Sequence, residues 1–207
     1  MFFRIFKFIY RKTFFKLYRE FIKIFYCRKV NNQSITIISS NCLAGCIYSD
    51  LNKEFLSPTI NTFFYAPCFI NFCENLDYYL SLDLIETKFS KYTNDFYYPI
   101  GTLGDIEIHF LHYKTFDEAR LKWNSRKEKI VKDNVRFIMT DRDGFNTDIA
   151  NRFSLLEGKN NILFTANSYN LKNEVHCTFE KEVISSDFTS FRKYEKYINI
   201  VDWYNGK

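Results

Sequence analysis

An α/β domain, three-layer and Rossmann-like with a mostly parallel sheet and preceded by an N-terminal amphipathic helix, is the fold class this sequence predicts. Three observations lead there. Short apolar runs alternate with stretches of helical periodicity ten to fifteen residues long, the pattern of a largely parallel sheet covered on both faces. The chain has 207 residues and no Pro/Gly/Ser-rich stretch to act as a linker, which suits one domain over 30–207 plus an appendage over 1–29. Charge is unevenly divided between these two parts.

Taken in order, residues 1–29 hold nine basic residues against one acid, Glu20, so the remainder sums to −3 although the whole chain is +5. The cations at 4, 7, 11, 16, 19 and 23 fill about half of a helical wheel at ~100° per residue. Phe3, Phe6, Tyr10, Phe14, Leu17, Phe21, Ile24 and Phe25 fill much of the other half. A Lys or Arg interrupts the apolar residues every few positions, which excludes the ~20-residue apolar run of a spanning helix. An uninterrupted apolar core and a small-residue cleavage site are also missing, which argues against a signal peptide. The expected partner is an anionic membrane surface, with rings at the acyl boundary and cations at the headgroups. Packing on the body or on a partner protein is the alternative. No nucleic-acid module follows the arm, so nucleic acid is not an expected partner.

In the body, Ser34–Ser40 reads as a short buried strand, Cys68–Leu80 as a helix, and Asp105–His112 as an alternating strand. Thr115-x-x-Glu118 opens a helix with a capping box, ahead of Ala119, Trp123 and Ile130 on one face. Val135–Thr140 is a second apolar strand. A helix carrying Ile149, Ala150, Phe153 and Leu156 follows, with Gly158 as its stop. Asn161–Thr165 and Val175–Phe179 complete the strands. The six cysteines, at 27, 42, 46, 68, 73 and 177, lack zinc-ribbon spacing and read as free thiols of a reducing compartment.

Ligands of open α/β sheets bind at the carboxyl ends of the strands. After the first strand come Ser39, Ser40, Asn41 and Cys42, small polar residues leading into a helix. They form a candidate substrate-binding loop, with Cys42 a candidate nucleophile because a helix N-terminus favours thiolate. The alternative is an ordinary N-cap with Cys42 packed inward. His112, at the end of DIEIHFLH, is the candidate general base, and Glu107 and His109 share the other face. After Val135–Thr140 come Asp141, Arg142 and Asp143. Arg142 is a candidate substrate ligand. Asp141 could orient the His112 imidazole, and Asp141 with Asp143 could hold a divalent cation against a diphosphate. The same residues could equally form a turn around Gly144.

SITIISSNCLAG at 34–45, Ser57-Pro58-Thr59, YPIG at 98–101, DIEIHFLHY at 105–113, the Glu118…Trp123…Arg126 helix, DRDGF at 141–145 and VDWYN at 201–205 occur in one order. In this combination the chain resembles domain-of-unknown-function family 1919, over roughly residues 34–205. Other members often carry Trp and a second Gly where this chain has Leu43 and Cys46. The resemblance implies a bacterial α/β domain associated with exopolysaccharide or capsule biosynthesis, and it supplies no mechanism. It sets the expectation of a peripheral transferase at the cytoplasmic face of the membrane, working on a glycan or lipid-linked glycan. An acyl version would use acyl-CoA with Cys42, His112 and Asp141. A glycosyl version would use a sugar nucleotide with a divalent cation on Asp141 and Asp143. The rival expectation is a non-enzymatic scaffold that binds polysaccharide assembly proteins.

Overall fold

A computed structural model describes residues 14–207; the part of the basic arm over 1–13 lies outside the described residues. Helix α1 (Phe14–Cys27) is followed by strand β1 (Thr36–Ser39) and helix α2 (Leu43–Asp50). Helices α3 (Ala66–Glu74) and α4 (Leu76–Ser81) lead to strands β2 (Ile85–Thr87), β3 (Ile100–Leu103) and β4 (Ile106–His109). Then come helix α5 (Phe116–Lys127), strand β5 (Val135–Thr140), helix α6 (Thr147–Leu155), strands β6 (Ile162–Thr165) and β7 (Glu174–His176), and helix α7 (Ile200–Asn205).

The main sheet is four-stranded and parallel, in the order β1-β5-β6-β7, with Ile38 opposite Phe137 and Ile138 opposite Ile162. Its central residues are apolar without a polar face because both faces are covered. Ile38, Phe137, Met139 and Leu163 enter one core with α3, α5 and α6. Ile37, Ile138, Ile162 and Phe164 enter a second core with α2 and the segment from Ile184 to Tyr204. A mixed α/β fold around a parallel sheet is therefore what the alternation of runs encodes.

The DIEIHFLH strand departs from expectation. It does not join the parallel sheet, but pairs antiparallel with β3 in a separate sheet of order β2-β3-β4. Gly101 lies at the heart of that pairing because a Cβ there would stand 2.8 Å from Leu84 and 2.9 Å from Phe116. The helix expected over 68–80 begins at Ala66, with Pro67 in its first turn, and breaks at Asn75. The Thr115 cap is present, its Oγ1 accepting from the Glu118 amide at 3.2 Å. The Glu118 carboxylate reaches back to the Lys114 amide instead of that of Thr115. Helix α6 is capped by Asn146, which accepts from the Ile149 amide at 2.9 Å.

The two sheets meet at Phe63 and Phe64. The Phe63 amide and carbonyl pair with His109, and the Phe64 amide donates to the Ser40 carbonyl at 2.9 Å. The carboxyl ends of β1 and β4 are thereby held one residue apart. Ser57 and Thr59 secure the same region, Thr59 Oγ1 accepting from the Ser39 amide at 3.1 Å.

Candidate functional site

The carboxyl ends of β1, β4 and β5 open into a cleft of about 1340 Å³. Asn41, Cys42 and Cys46 wall it after β1, His112 after β4, and Arg142 and Asp143 after β5. The segment 186–192 and α1 line its remaining sides. Arg19 is 5% exposed and sits 2.7 Å from Asp50 and 2.7 Å from Glu195. Asp50 also meets Arg192 at 2.7 Å, so the helix is keyed into the body by two guanidiniums and two carboxylates. Burial works against the charge on Arg19, but the Glu195 and Asp50 carboxylates outweigh it and raise its pKa. Tyr26 adds a hydrogen bond to Glu195, and the Phe15 and Phe191 rings pack at 5.7 Å.

This docking turns the polar side of α1 inward. Lys16, Glu20 and Lys23 line the cleft beside Arg19. Phe14, Leu17, Phe21, Ile24 and Phe25 are each at least half exposed. The wheel predicted from the sequence is therefore present over 14–27, with its apolar stripe facing out. Arg19, expected among cations facing lipid headgroups, is instead neutralised within the protein by Asp50 and Glu195. Among the described residues no helix is long and apolar enough to cross a membrane.

The expected catalytic set is only partly assembled. Cys42 and His112 share the cleft, and His112 is exposed. Cys42 occupies the N-cap of α2 but makes no side-chain cap bond. Burial, followed by the neighbouring Cys46 thiol, pushes the Cys42 pKa up to about 12. The thiolate expected from the helix N-terminus is thus opposed by desolvation, which dominates in this wall. Asp141 takes another role. Its Oδ2 accepts from the Ala166 amide at 2.6 Å and its Oδ1 from the Ile184 amide at 2.8 Å. It is 4% exposed and does not line the cleft, and no hydrogen bond joins it to His112 or Cys42.

The same arrangement bears on the metal pair. With both Asp141 oxygens holding backbone amides, Asp143 is left alone, and no group of three His, Cys, Asp or Glu residues among the described residues could hold a metal. Asp143 has a φ of 60°, which breaks the strand-like alternation and sends its carboxylate into the cleft while Asp141 points under it. Burial raises the Asp143 pKa, against the pull of Arg142 at 3.6 Å. A carboxyl group of this kind, desolvated in a cleft beside a cation, can exchange a proton with a bound substrate.

Ser39 and Ser40 are buried below the cleft. Ser39 Oγ donates to the Asn41 carbonyl and accepts from the Ala44 amide at 3.0 Å, shaping the loop rather than meeting a ligand. Asn41 does line the cleft, its amide donating to Thr140 and its oxygen accepting from Leu43. Beneath the floor lies His109, fully buried, with Nε2 3.5 Å from Glu107 and the rings of Phe63, Tyr65 and Tyr98 around it. Burial lowers its pKa although Glu107 opposes the shift. Lys16, Lys23 and Arg192 were not singled out as site residues by sequence; only the basic wheel of α1 signalled the two lysines. All six cysteines are free, Cys27 exposed and Cys68, Cys73 and Cys177 buried.

The profile of a domain of unknown function, DUF1919, matches residues 13–205. The chain belongs to the DUF1919 family. An uncharacterized protein of Haemophilus influenzae (strain ATCC 51907 / DSM 11121 / KW20 / Rd) is 35% identical over 199 residues, covering 92% of this chain and 93% of that protein. The family match starts inside the basic arm, so the family unit takes in α1 as well as the sheet. That fits the structure, where α1 supplies one wall of the DUF1919 cleft.

Proposed function

We propose that this DUF1919 protein is a peripheral membrane transferase that extends a lipid-linked precursor of a surface polysaccharide at the cytoplasmic face. Its active site is the cleft after β1, β4 and β5, used as Rossmann-like domains use the carboxyl ends of their strands. One observation carries the reading. Helix α1 presents Phe14, Leu17, Phe21, Ile24 and Phe25 outward while Lys16 and Lys23 of the same helix line the cleft. An interfacial helix that sinks this stripe into a bilayer brings the cleft to the headgroup level, where a membrane-borne phosphate meets lysines.

The geometry favours the glycosyl version over the acyl version. A thiol held near pKa 12 and two buried serines offer no activated nucleophile for an acyl-enzyme. Direct displacement needs none. In it, Asp143 or His112 accepts the proton of the acceptor hydroxyl, whose oxygen bonds to the sugar carbon as the carbon–phosphate-oxygen bond breaks. Arg142, helped by Lys16, takes up the charge of the departing phosphate. The donor set does not fit a divalent cation, and no step is assigned to one.

The test is flotation of the full chain with vesicles containing anionic lipid, together with thermal shift against sugar nucleotides and acyl-CoA. Wild type is expected to float, and Leu17→Asp/Phe21→Asp to stay in the load fraction. A sugar nucleotide is expected to raise the Tm of wild type but not of Arg142→Ala. Equal flotation of both proteins overturns membrane docking through this stripe. A shift with acyl-CoA alone overturns glycosyl transfer, and no shift with any donor favours the scaffold.

A further inference from the structure

A second large depression lies at the opposite end of the parallel sheet and shares no lining residue with the cleft. It is a groove of about 1540 Å³ at the amino ends of β5, β6 and β7. Arg136 of β5 lines it and is 4% exposed. Its Nη1 donates to the Trp203 carbonyl, and the guanidinium carbon lies 5.0 Å from the centre of the Trp203 ring. Its Nε is buried, and among the described residues it has no hydrogen-bond partner and the side chain no ion pair.

That sets Arg136 apart from Arg19 and Arg192, which each meet a carboxylate at 2.7 Å. A guanidinium withdrawn from water without a counter-charge is unfavourable, and an anion relieves it. Burial accordingly draws the Arg136 pKa below its usual value. Lys159, Asn160 and Lys207 line the same groove, along with the carboxylates of Asp133, Glu157 and Asp202. Trp203 Nε1 donates to the Asn160 carbonyl at 2.8 Å, which sets Asn160 beside Trp203, and Lys207 lies just past the end of α7.

We propose that this groove binds a phosphate group, with Arg136 at its floor and Lys159, Asn160 and Lys207 around it. The covered Nε prevents the side-on fork that a planar carboxylate prefers, leaving Nη2 as the contact. A tetrahedral oxyanion can give one oxygen to Nη2 and others to ammonium and amide donors arriving from different directions. The site is independent of the glycan reading, because it lies at the far end of the strands from the cleft.

Inorganic phosphate is the probe, titrated into the full chain against sodium chloride of equal ionic strength. The expected result is a saturable rise in Tm of about 2 °C or more, retained in Arg142→Ala and lost in Arg136→Met. If Arg136→Met does not fold, Lys159→Ala/Lys207→Ala keeps the guanidinium and is expected to raise the half-saturating phosphate concentration at least threefold. An unsaturable response, one equal to that of chloride, or one unchanged in these groove variants overturns the proposal. Loss of the response in Arg142→Ala also overturns it, by moving the phosphate to the cleft.

Discussion

Arg19 and Asp50 form a buried ion pair at 2.7 Å that joins the basic arm to the domain, with side chains 6% and 2% exposed. The pair is shared, since Asp50 also holds Arg192 and Arg19 also holds Glu195. Removing one partner of a buried pair leaves the other charge without full compensation. Arg19→Met is expected to destabilise the protein by about 3 kcal/mol, near the lower end for such pairs because Arg192 remains on Asp50. Urea unfolding measures the loss. Limited proteolysis between α1 and β1 should accelerate in the same variant, and unchanged protection there would show that α1 is held by something else.

Cys42 should behave as a shielded thiol. With its pKa near 12, the thiolate fraction at neutral pH is on the order of 10⁻⁵. Iodoacetamide at pH 7.5 is expected to label exposed Cys27 well before Cys42, as followed by peptide mass spectrometry. Preferential labelling of Cys42 would return it to candidacy as a nucleophile.

Asp141 is expected to matter through stability. Asparagine keeps one acceptor but turns an N–H donor toward either the Ala166 or the Ile184 amide. Asp141→Asn should cost about 2 kcal/mol, the scale of a buried, charge-assisted hydrogen bond lost. Asp143→Asn, whose carboxylate accepts no backbone amide, should change Tm little, and it should remove donor turnover if Asp143 rather than His112 is the base. A stable but inactive Asp141→Asn would contradict this division of roles.

His109 predicts a pH dependence of stability. Its folded pKa lies below the unfolded value of about 6.5, because burial disfavours imidazolium. Between those two values the unfolded chain binds more protons, so this contribution is fully present above about pH 6.5 and is lost as pH falls toward the folded pKa. His109→Phe, seated among Phe63, Tyr65 and Tyr98, should flatten that part of the profile. Urea midpoints at pH 5.5 and 8 compare the two proteins; an identical slope would exclude His109 as its source.

Much of the fold was legible because it depends on local pattern. The β5 run is apolar at nearly every position, which only a doubly covered strand sustains, and Thr115 and Glu118 mark the start of α5 through bonds spanning three and four residues. The partner of Asp105–His112 was not legible. Period-two alternation states which residues share a face and says nothing of whether the neighbouring strand runs parallel or antiparallel. The cleft was legible in part. Asn41, Cys42, His112 and Arg142 follow strand ends, as the rule for open sheets requires. Asp141 and Asp143 were read together because residues two apart share a side, and the positive φ of Asp143 defeats that inference. For α1, a helical wheel separates two faces without saying which one the protein covers. Asp50 and Glu195 decide it, 31 and 176 positions away from Arg19.

That last separation orders events in time. A ribosome adding about 5–20 residues per second needs roughly 10–35 s to reach Glu195 after making Arg19. Once α1 has left the ribosome, its far anchor still does not exist for most of that interval. Whatever captures the apolar stripe first does so on a nascent chain, before the cleft has its fourth wall.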